Sequence, residues 1–136
     1  MTLTDTGPLI ALIDVDEPDH ERCRQALDQL QLPLLTTWPA FTEAMYLLGR
    51  AAGWKGQQAL WHLALRGDLD IAAPSSGTNA RAAQLMERYA DRPMDLADAT
   101  LVALAEERDT NRIFTLDADF HVYRFKGRRH FDVIPQ

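Results

Sequence analysis

Short apolar runs alternate along the chain with longer stretches in which apolar residues recur every three or four positions. The short runs lack the polar alternation of a half-exposed strand, so we interpret them as strands buried on both faces. They cover residues 2–5, 32–37, 69–74, 112–117 and 131–135. The longer stretches have the period of amphipathic helices, and they cover residues 6–14, 16–30, 39–53, 55–67, 76–91 and 95–109.

This alternation of strands and helices predicts an α/β fold, in which helices cover both faces of a central, mostly parallel sheet. No internal repeat or low-complexity linker interrupts the pattern, and we expect residues 1–136 to form a single domain. Ligands of such folds bind outside the carboxyl ends of the strands. Residues that directly follow a strand are therefore the first candidates for a functional site.

Composition and charge narrow the class of protein. The chain is 46% hydrophobic and 25% charged, as is ordinary for a globular protein, and its apolar runs are too short to span a bilayer. It begins without the basic and apolar segments of a signal peptide. One cysteine, Cys23, cannot form an internal disulfide, so we expect a cytoplasmic protein. The net charge of −6 argues against binding nucleic acid through charge alone.

Four acidic residues interrupt otherwise apolar or small-residue contexts. They are Asp5, Glu43, Asp98 and Asp117. Each of them has a possible structural role instead of a functional one, because a carboxylate can also cap a helix N-terminus or interact favourably with the helix dipole. Asp95 is such a cap, and Asp98 stands at the third helical position of the same capping pattern. Asp119 is typical of a solvated turn residue.

Taken together, the four acids favour a cation site. Strand ends and first helical turns meet at one edge of a parallel sheet, so we expect the four side chains to converge there. Their charges cannot share a small site uncompensated, because like charges drive protonation. Mg²⁺ and Mn²⁺ take oxygen ligands, are shared between carboxylates and substrate phosphates, and activate water. The sequence therefore predicts a divalent-metal site.

Three segments that contain these acids resemble the motifs of PIN-domain proteins. The opening segment "TDTGPLIALID" places an acid before a helix start rich in small residues, and "FTEAMYLL" is similar to the second acidic element of the family. The segment "MDLADATLVALAEERDTNRIFTLDADF" is similar to the third and fourth elements, including the short spacing from helix to strand. The resemblance covers almost the whole chain, and the length suits the VapC-like toxins of bacterial toxin–antitoxin pairs.

This resemblance implies an α/β/α sandwich and an endoribonuclease that depends on Mg²⁺, with Mn²⁺ as the alternative ion. It implies that RNA phosphodiester bonds are hydrolysed by metal-activated water. The implied partners are an RNA substrate, a cognate antitoxin protein and a second copy of the chain in a homodimer. Carried over by position, the acidic quartet is Asp5, Glu43, Asp98 and Asp117, with Asp119 as a secondary metal ligand.

Two other functions are weighed against this one. A haloacid-dehalogenase-type phosphohydrolase needs a second Asp two residues after its nucleophile, but Gly7 occupies that position after Asp5. A catalytically inactive PIN-fold protein that binds RNA or protein remains the alternative. The presence of all four acids argues against it.

A basic segment near the C-terminus, "YRFKGRRH", is a candidate RNA-binding element. Its aromatic residues and the following Phe131 alternate with cationic ones, and this combination suits single-stranded RNA through base stacking and phosphate contacts. The alternative is a solvated loop. The cationic candidates are Arg124, Lys126, Arg128 and Arg129, and the aromatic residues are Tyr123, Phe125 and Phe131.

Overall fold

A computed structural model describes residues 1–136 and contains two sheets. The strands are β1 (Leu3–Thr4), β2 (Leu34–Thr37), β3 (Leu69–Ala72), β4 (Arg112–Phe114), β5 (Arg124–Phe125), β6 (Arg129–His130) and β7 (Asp132–Ile134). The helices are α1 (Thr6–Ile13), α2 (His20–Leu27), α3 (Trp38–Leu65), α4 (Ser76–Arg88) and α5 (Leu96–Glu107), with a 3₁₀ helix at Ala118–His121. None of the helices combines the length and the apolar character that crossing a membrane requires.

The main sheet has five strands in the order β3-β2-β1-β4-β7, and every neighbouring pair is parallel. Leu3 of the central strand pairs with Leu35 on one side and with Ile113 on the other. The predicted α/β fold with a parallel central sheet is confirmed. Because all five strands point the same way, their carboxyl ends share one edge, to which the following loops and helices contribute side chains.

Helices pack on both faces of this sheet, since successive strand residues point to opposite sides. Ile113 is buried in a core that includes Leu101 of α5, while the next residue, Phe114, is buried in a core that includes Leu9 of α1 and Phe41 of α3. The result is the expected three-layer sandwich, with α1, α2 and α3 on one face and α4 and α5 on the other.

Two boundaries predicted from the sequence, a helix break and a strand end, can be compared with the structure. The predicted break between residues 53 and 55 is confirmed, because Gly53 adopts a φ of 64° inside α3, a conformation that favours glycine. The predicted strand 112–117 was too long, since β4 ends at Phe114. Asp117 instead precedes the 3₁₀ helix and caps it, accepting a hydrogen bond from the backbone N–H of Asp119 at 2.9 Å.

The basic segment forms a short antiparallel hairpin of β5 and β6. Its aromatic residues are buried, and Phe125 and Phe131 pack edge to face with ring centroids 6.0 Å apart. The interpretation of Tyr123, Phe125 and Phe131 as a base-stacking surface was wrong. These rings belong to the core beside α5 because alternate residues of the hairpin point inward.

Candidate active site

An acidic cleft of about 280 Å³ opens at the carboxyl edge of the main sheet. No Lys or Arg side chain lines it, so its negative charge has no cationic partner within the cleft. Ten residues line it: Asp5, Thr6, Gly7, Ile10, Glu43, Leu47, Asp95, Asp98, Leu116 and Asp117.

Asp5 reaches the cleft because it directly follows β1 and caps α1. One carboxylate oxygen accepts a hydrogen bond from the backbone N–H of Thr6 at 2.7 Å, and the other accepts one from the Thr115 hydroxyl at 2.8 Å. The side chain is only 6% exposed. Burial raises the pKa of Asp5 to about 6, although the two hydrogen bonds oppose the shift. Asp5 therefore both caps α1 and lines the cleft.

Asp98 comes from the first turn of α5, where the side chain of Asp95 accepts a hydrogen bond from the Asp98 backbone N–H at 2.8 Å. Thr100, further along α5, shares a 2.9 Å hydrogen bond with Thr37 at the end of β2, and this contact places the helix start at the carboxyl edge. Asp98 is 6% exposed. Burial, followed by the charges of Asp95 and Asp5, raises the pKa of Asp98 to about 8.

The hydroxyl of Tyr123 donates a hydrogen bond to Oδ2 of Asp98 at 3.0 Å. Burial, together with the neighbouring Asp98, raises the pKa of Tyr123 well above its usual range. At neutral pH the phenol therefore keeps its proton and can donate this hydrogen bond. No local pattern in the sequence indicated this contact between Tyr123 and Asp98.

Asp117 is held by a turn that starts from β4. Because β4 pairs with β1, Thr115 lies beside Asp5. The same Thr115 hydroxyl accepts a hydrogen bond from the backbone N–H of Asp117 at 3.0 Å. One threonine thus fixes the relative positions of two carboxylates that are far apart in the sequence.

Three of the predicted acids form a compact cluster. One carboxylate oxygen each from Asp5, Asp98 and Asp117 lies within 4.8 Å of the others. Their oxygens are the donors that hard divalent ions prefer, and the raised pKa values of Asp5 and Asp98 reflect negative charge that burial leaves poorly solvated. The residues present therefore fit Mg²⁺ or Mn²⁺.

Glu43 lines the same cleft but lies outside the three-residue cluster. It is in the second turn of α3, a helix that begins immediately after β2 and so starts at the carboxyl edge. Burial, with added repulsion from Asp95 and Asp117, raises the pKa of Glu43. Its position beside the cluster suits contact with a ligand in the cleft.

Asp119 is directed elsewhere. Its carboxylate accepts hydrogen bonds from the Arg92 guanidinium, the shorter at 3.1 Å, and it is not part of the cluster.

Asp95, which the sequence assigned a capping role, both caps α5 and lines the cleft. The spacing of Asp95 and Asp98 on one helical turn was the signal that both side chains face the same side.

The four basic candidates lie on or beside the hairpin of β5 and β6, and none of them lines the cleft. The Lys126 ammonium pairs with Asp109 at 2.8 Å, and its backbone N–H donates to Glu106 near the C-terminal end of α5. Asp98 is eight residues earlier on this helix, about 12 Å along the axis. Arg124 donates to three backbone carbonyls, whereas Arg128 and Arg129 are exposed. Their role in RNA binding stays a prediction.

Comparison with known proteins identifies the family of this chain. The model of the PIN-domain family matches residues 2–126. Ribonuclease VapC26 of Mycobacterium tuberculosis is 30% identical over 134 residues, which are 98% of this chain and 99% of that protein.

Solved structures share the fold. VapC20 of Mycobacterium tuberculosis, described as a toxin that cleaves the Sarcin-Ricin loop, aligns with a TM-score of 0.85 and 19% identity over 95% of this chain and 99% of that one. A toxin–antitoxin complex from Klebsiella pneumoniae aligns with a TM-score of 0.65 and 22% identity over 88% and 90%. At these identities the two structures support the architecture alone. With the family match over most of its length and the full-length likeness to VapC26, this chain belongs to the PIN-domain family as a VapC-like member.

Proposed function

We propose that this protein is a metal-dependent endoribonuclease that hydrolyses RNA phosphodiester bonds with water, and that it is the toxin of a toxin–antitoxin pair. The observation that carries the proposal is the cluster of Asp5, Asp98 and Asp117 in the acidic cleft of a PIN-family chain. The full-length likeness to a protein named as a ribonuclease supports RNA as the substrate.

In this proposal Asp5, Asp98 and Asp117 hold Mg²⁺ or Mn²⁺, and Glu43 contributes from the side of the cleft. Such an ion supplies positive charge that activates water and stabilises the charge developing on an attacked phosphate. Asp119, paired with Arg92, supports the turn that carries Asp117.

The side chains in the cleft favour attack by water over attack by a protein nucleophile. Thr6 provides the one hydroxyl among the lining residues, and this hydroxyl donates to the carbonyl of Ala40 at 3.2 Å. No Ser, Cys, His or Lys lines the cleft. Glu43, whose pKa is raised by burial, is placed to accept a proton from the attacking water.

The negative charge of the cleft makes RNA binding depend on bound cations. Five acidic residues line the cleft, and their negative charge repels a phosphodiester when no cation is bound. Cations held by these residues would instead attract it. RNA therefore binds productively at the cleft only when the ion is present. The exposed cations Arg128 and Arg129 add phosphate contacts along the outer surface in this proposal.

The first test is cleavage of total bacterial RNA by the purified chain. We expect discrete cuts with Mg²⁺, sustained activity with Mn²⁺ and no cuts after EDTA, because the acids act through the ion. Sequencing of new 5′ ends maps the cleavage sites. Binding of RNA without any cut under these conditions would instead support the inactive binding module.

Two protein partners belong to the proposal. Beside the acidic cleft a wider groove of about 670 Å³ exposes large apolar side chains, with Trp38 44%, Tyr46 60% and Leu96 55% exposed. Exposed apolar surface of this kind marks protein interfaces, and we assign it to a second copy of the chain. The antitoxin is proposed from the family, in which the Klebsiella pneumoniae neighbour is a toxin–antitoxin complex.

Sedimentation velocity, combined with an RNA-cleavage assay of the same samples, tests both partners. The chain alone is expected to sediment as a dimer, and Leu96→Glu is expected to shift it to the monomer because a charge at an apolar interface is costly. Co-expression with the product of a small neighbouring gene is expected to give a larger complex that no longer cleaves RNA. A monomeric wild-type chain would contradict the dimer, and unchanged cleavage in the co-expressed sample would contradict the antitoxin.

A further inference from the structure

The segment 117–123 is connected to the carboxylate cluster at two points. It begins with Asp117, a member of the cluster, and it ends with Tyr123, whose hydroxyl donates to Asp98. We propose that Tyr123 is a positioning residue that orients the Asp98 carboxylate for a divalent cation. This inference rests on the proposed metal site, and it adds a residue that lies outside the predicted quartet.

Tyr123 acts on Asp98 alone. Its side chain is 0% exposed, so it cannot contact RNA or solvent directly. It is the only side chain that donates a hydrogen bond to the Asp98 carboxylate, and the bond ends on Oδ2. Oδ1 of Asp98 has no hydrogen-bond donor in the structure, which leaves it available to a cation.

The ring of Tyr123 is itself held in place. It packs edge to face against Tyr89 and Phe120, with centroid distances of 5.1 Å and 5.2 Å. Its backbone N–H donates to the carbonyl of Asp119 at 3.0 Å, which closes a turn over residues 119–123, shortly after Asp117. A donor fixed on both its ring and its backbone restricts rotation of the carboxylate that it contacts.

The energetic consequence follows from this restriction. A ligand carboxylate that is already oriented loses less conformational entropy when an ion binds. Hydrogen-bonding partners behind metal ligands typically account for about 10- to 100-fold in metal affinity. Removal of the Tyr123 hydroxyl is therefore expected to weaken ion binding about tenfold or more while the aromatic packing stays.

The test is a Mn²⁺ titration followed by electron paramagnetic resonance, which counts free Mn²⁺ and needs no RNA cleavage. Tyr123→Phe is expected to bind Mn²⁺ about tenfold or more weakly than the wild type. Tyr89→Phe is the matched control. It removes a hydroxyl from the ring that packs against Tyr123, but this hydroxyl accepts a hydrogen bond from the backbone N–H of Arg124 and does not contact Asp98. It is expected to bind Mn²⁺ as the wild type does, with all titrations made below the melting transition of each variant.

Different results would overturn the metal site and the positioning role of Tyr123. Wild-type protein that binds no Mn²⁺ overturns the metal site itself. Wild-type protein that binds Mn²⁺ with the same affinity as Tyr123→Phe overturns the positioning role and leaves the metal site standing. Equal losses in Tyr123→Phe and Tyr89→Phe also overturn it, because the effect would then not depend on the hydrogen bond to Asp98.

A second measurement leaves Tyr123 intact. The chain has three tyrosines, so ring-labelled tyrosine gives three sets of carbon signals, and Tyr46→Phe and Tyr89→Phe assign the other two. Saturating Mg²⁺ is expected to shift the ζ-carbon signal of Tyr123 more than that of Tyr89, because only Tyr123 contacts a proposed ligand. A Tyr123 signal that does not move when Mg²⁺ saturates the site overturns the inference.

Discussion

Asp98→Asn is expected to lower Mg²⁺-dependent RNA cleavage by about 10³-fold and, at the same time, to make the metal-free protein more stable. The loss of activity follows because the ion contributes several kcal/mol of charge stabilisation, and each 1.36 kcal/mol is a factor of ten in rate. The gain in stability follows because the wild-type carboxylate is buried beside Asp5 and Asp95. Asn keeps an oxygen that can accept the Tyr123 hydrogen bond.

The pH dependence of this gain has a definite sign. The pKa of Asp98 is raised from 3.8 to about 8, so the folded protein binds more protons than the unfolded chain between these values. Stability that protonated Asp98 contributes is present below pH 3.8 and is lost as the pH rises through about 8. Asn does not titrate. The stabilising effect of Asp98→Asn is therefore expected to be largest near pH 8 and absent in acid.

Thermal denaturation in EDTA at several pH values measures this effect. Asp98→Asn is expected to melt about 3 °C or more above the wild type at pH 8, since 1 kcal/mol moves the transition by a few degrees in a domain of this size. Asp91→Asn, at an exposed position, is the control and should change neither melting nor cleavage. Wild-type cleavage rates in Asp98→Asn would show that the site is assigned wrongly.

Asp117→Asn and Asp119→Asn are expected to differ sharply although the residues are two positions apart. Asp117 contributes to the carboxylate cluster, so its loss should reduce cleavage by about 10²- to 10³-fold. Asp119 pairs with Arg92 at a partly exposed position, where an ion pair contributes about 1 kcal/mol or less. Asp119→Asn should therefore cleave RNA within a few-fold of the wild-type rate.

Single-turnover cleavage at saturating Mg²⁺ compares the two variants directly. Both are expected to fold, because Asn at 117 keeps an oxygen that can accept the hydrogen bond from the backbone N–H of residue 119. A larger loss in Asp119→Asn than in Asp117→Asn would reverse the assignment. Similar losses in both would mean that the turn as a whole, and not the Asp117 carboxylate, is what matters.

The sequence was sufficient for the layered fold and for four of the five acids that line the cleft. Continuous apolar character marked strands such as β2 as buried on both faces, and this is the pattern of a parallel sheet. Asp5 and Asp98 were found because each interrupts apolar sequence at a strand end or a helix start. Their convergence then followed from the common direction of the strands.

Local sequence patterns could not predict the contacts that hold these acids in place. Thr115 bonds to Asp5 across 110 residues, and Tyr123 bonds to Asp98 across 25, so both depend on how the elements pack. Tyr123 and Phe125 are two residues apart, a period that is typical of a strand with one buried face. That spacing was the signal that these rings point into the core.

Mn²⁺ binding to the wild type, Asp98→Asn and Asp119→Asn, measured by electron paramagnetic resonance without RNA, tests the proposed metal site most directly. Saturable binding is expected for the wild type and for Asp119→Asn, with a large loss of affinity in Asp98→Asn. Wild-type protein that binds no Mn²⁺, or Asp98→Asn that binds it as tightly as the wild type, would contradict a metal site built from the carboxylates at this sheet edge.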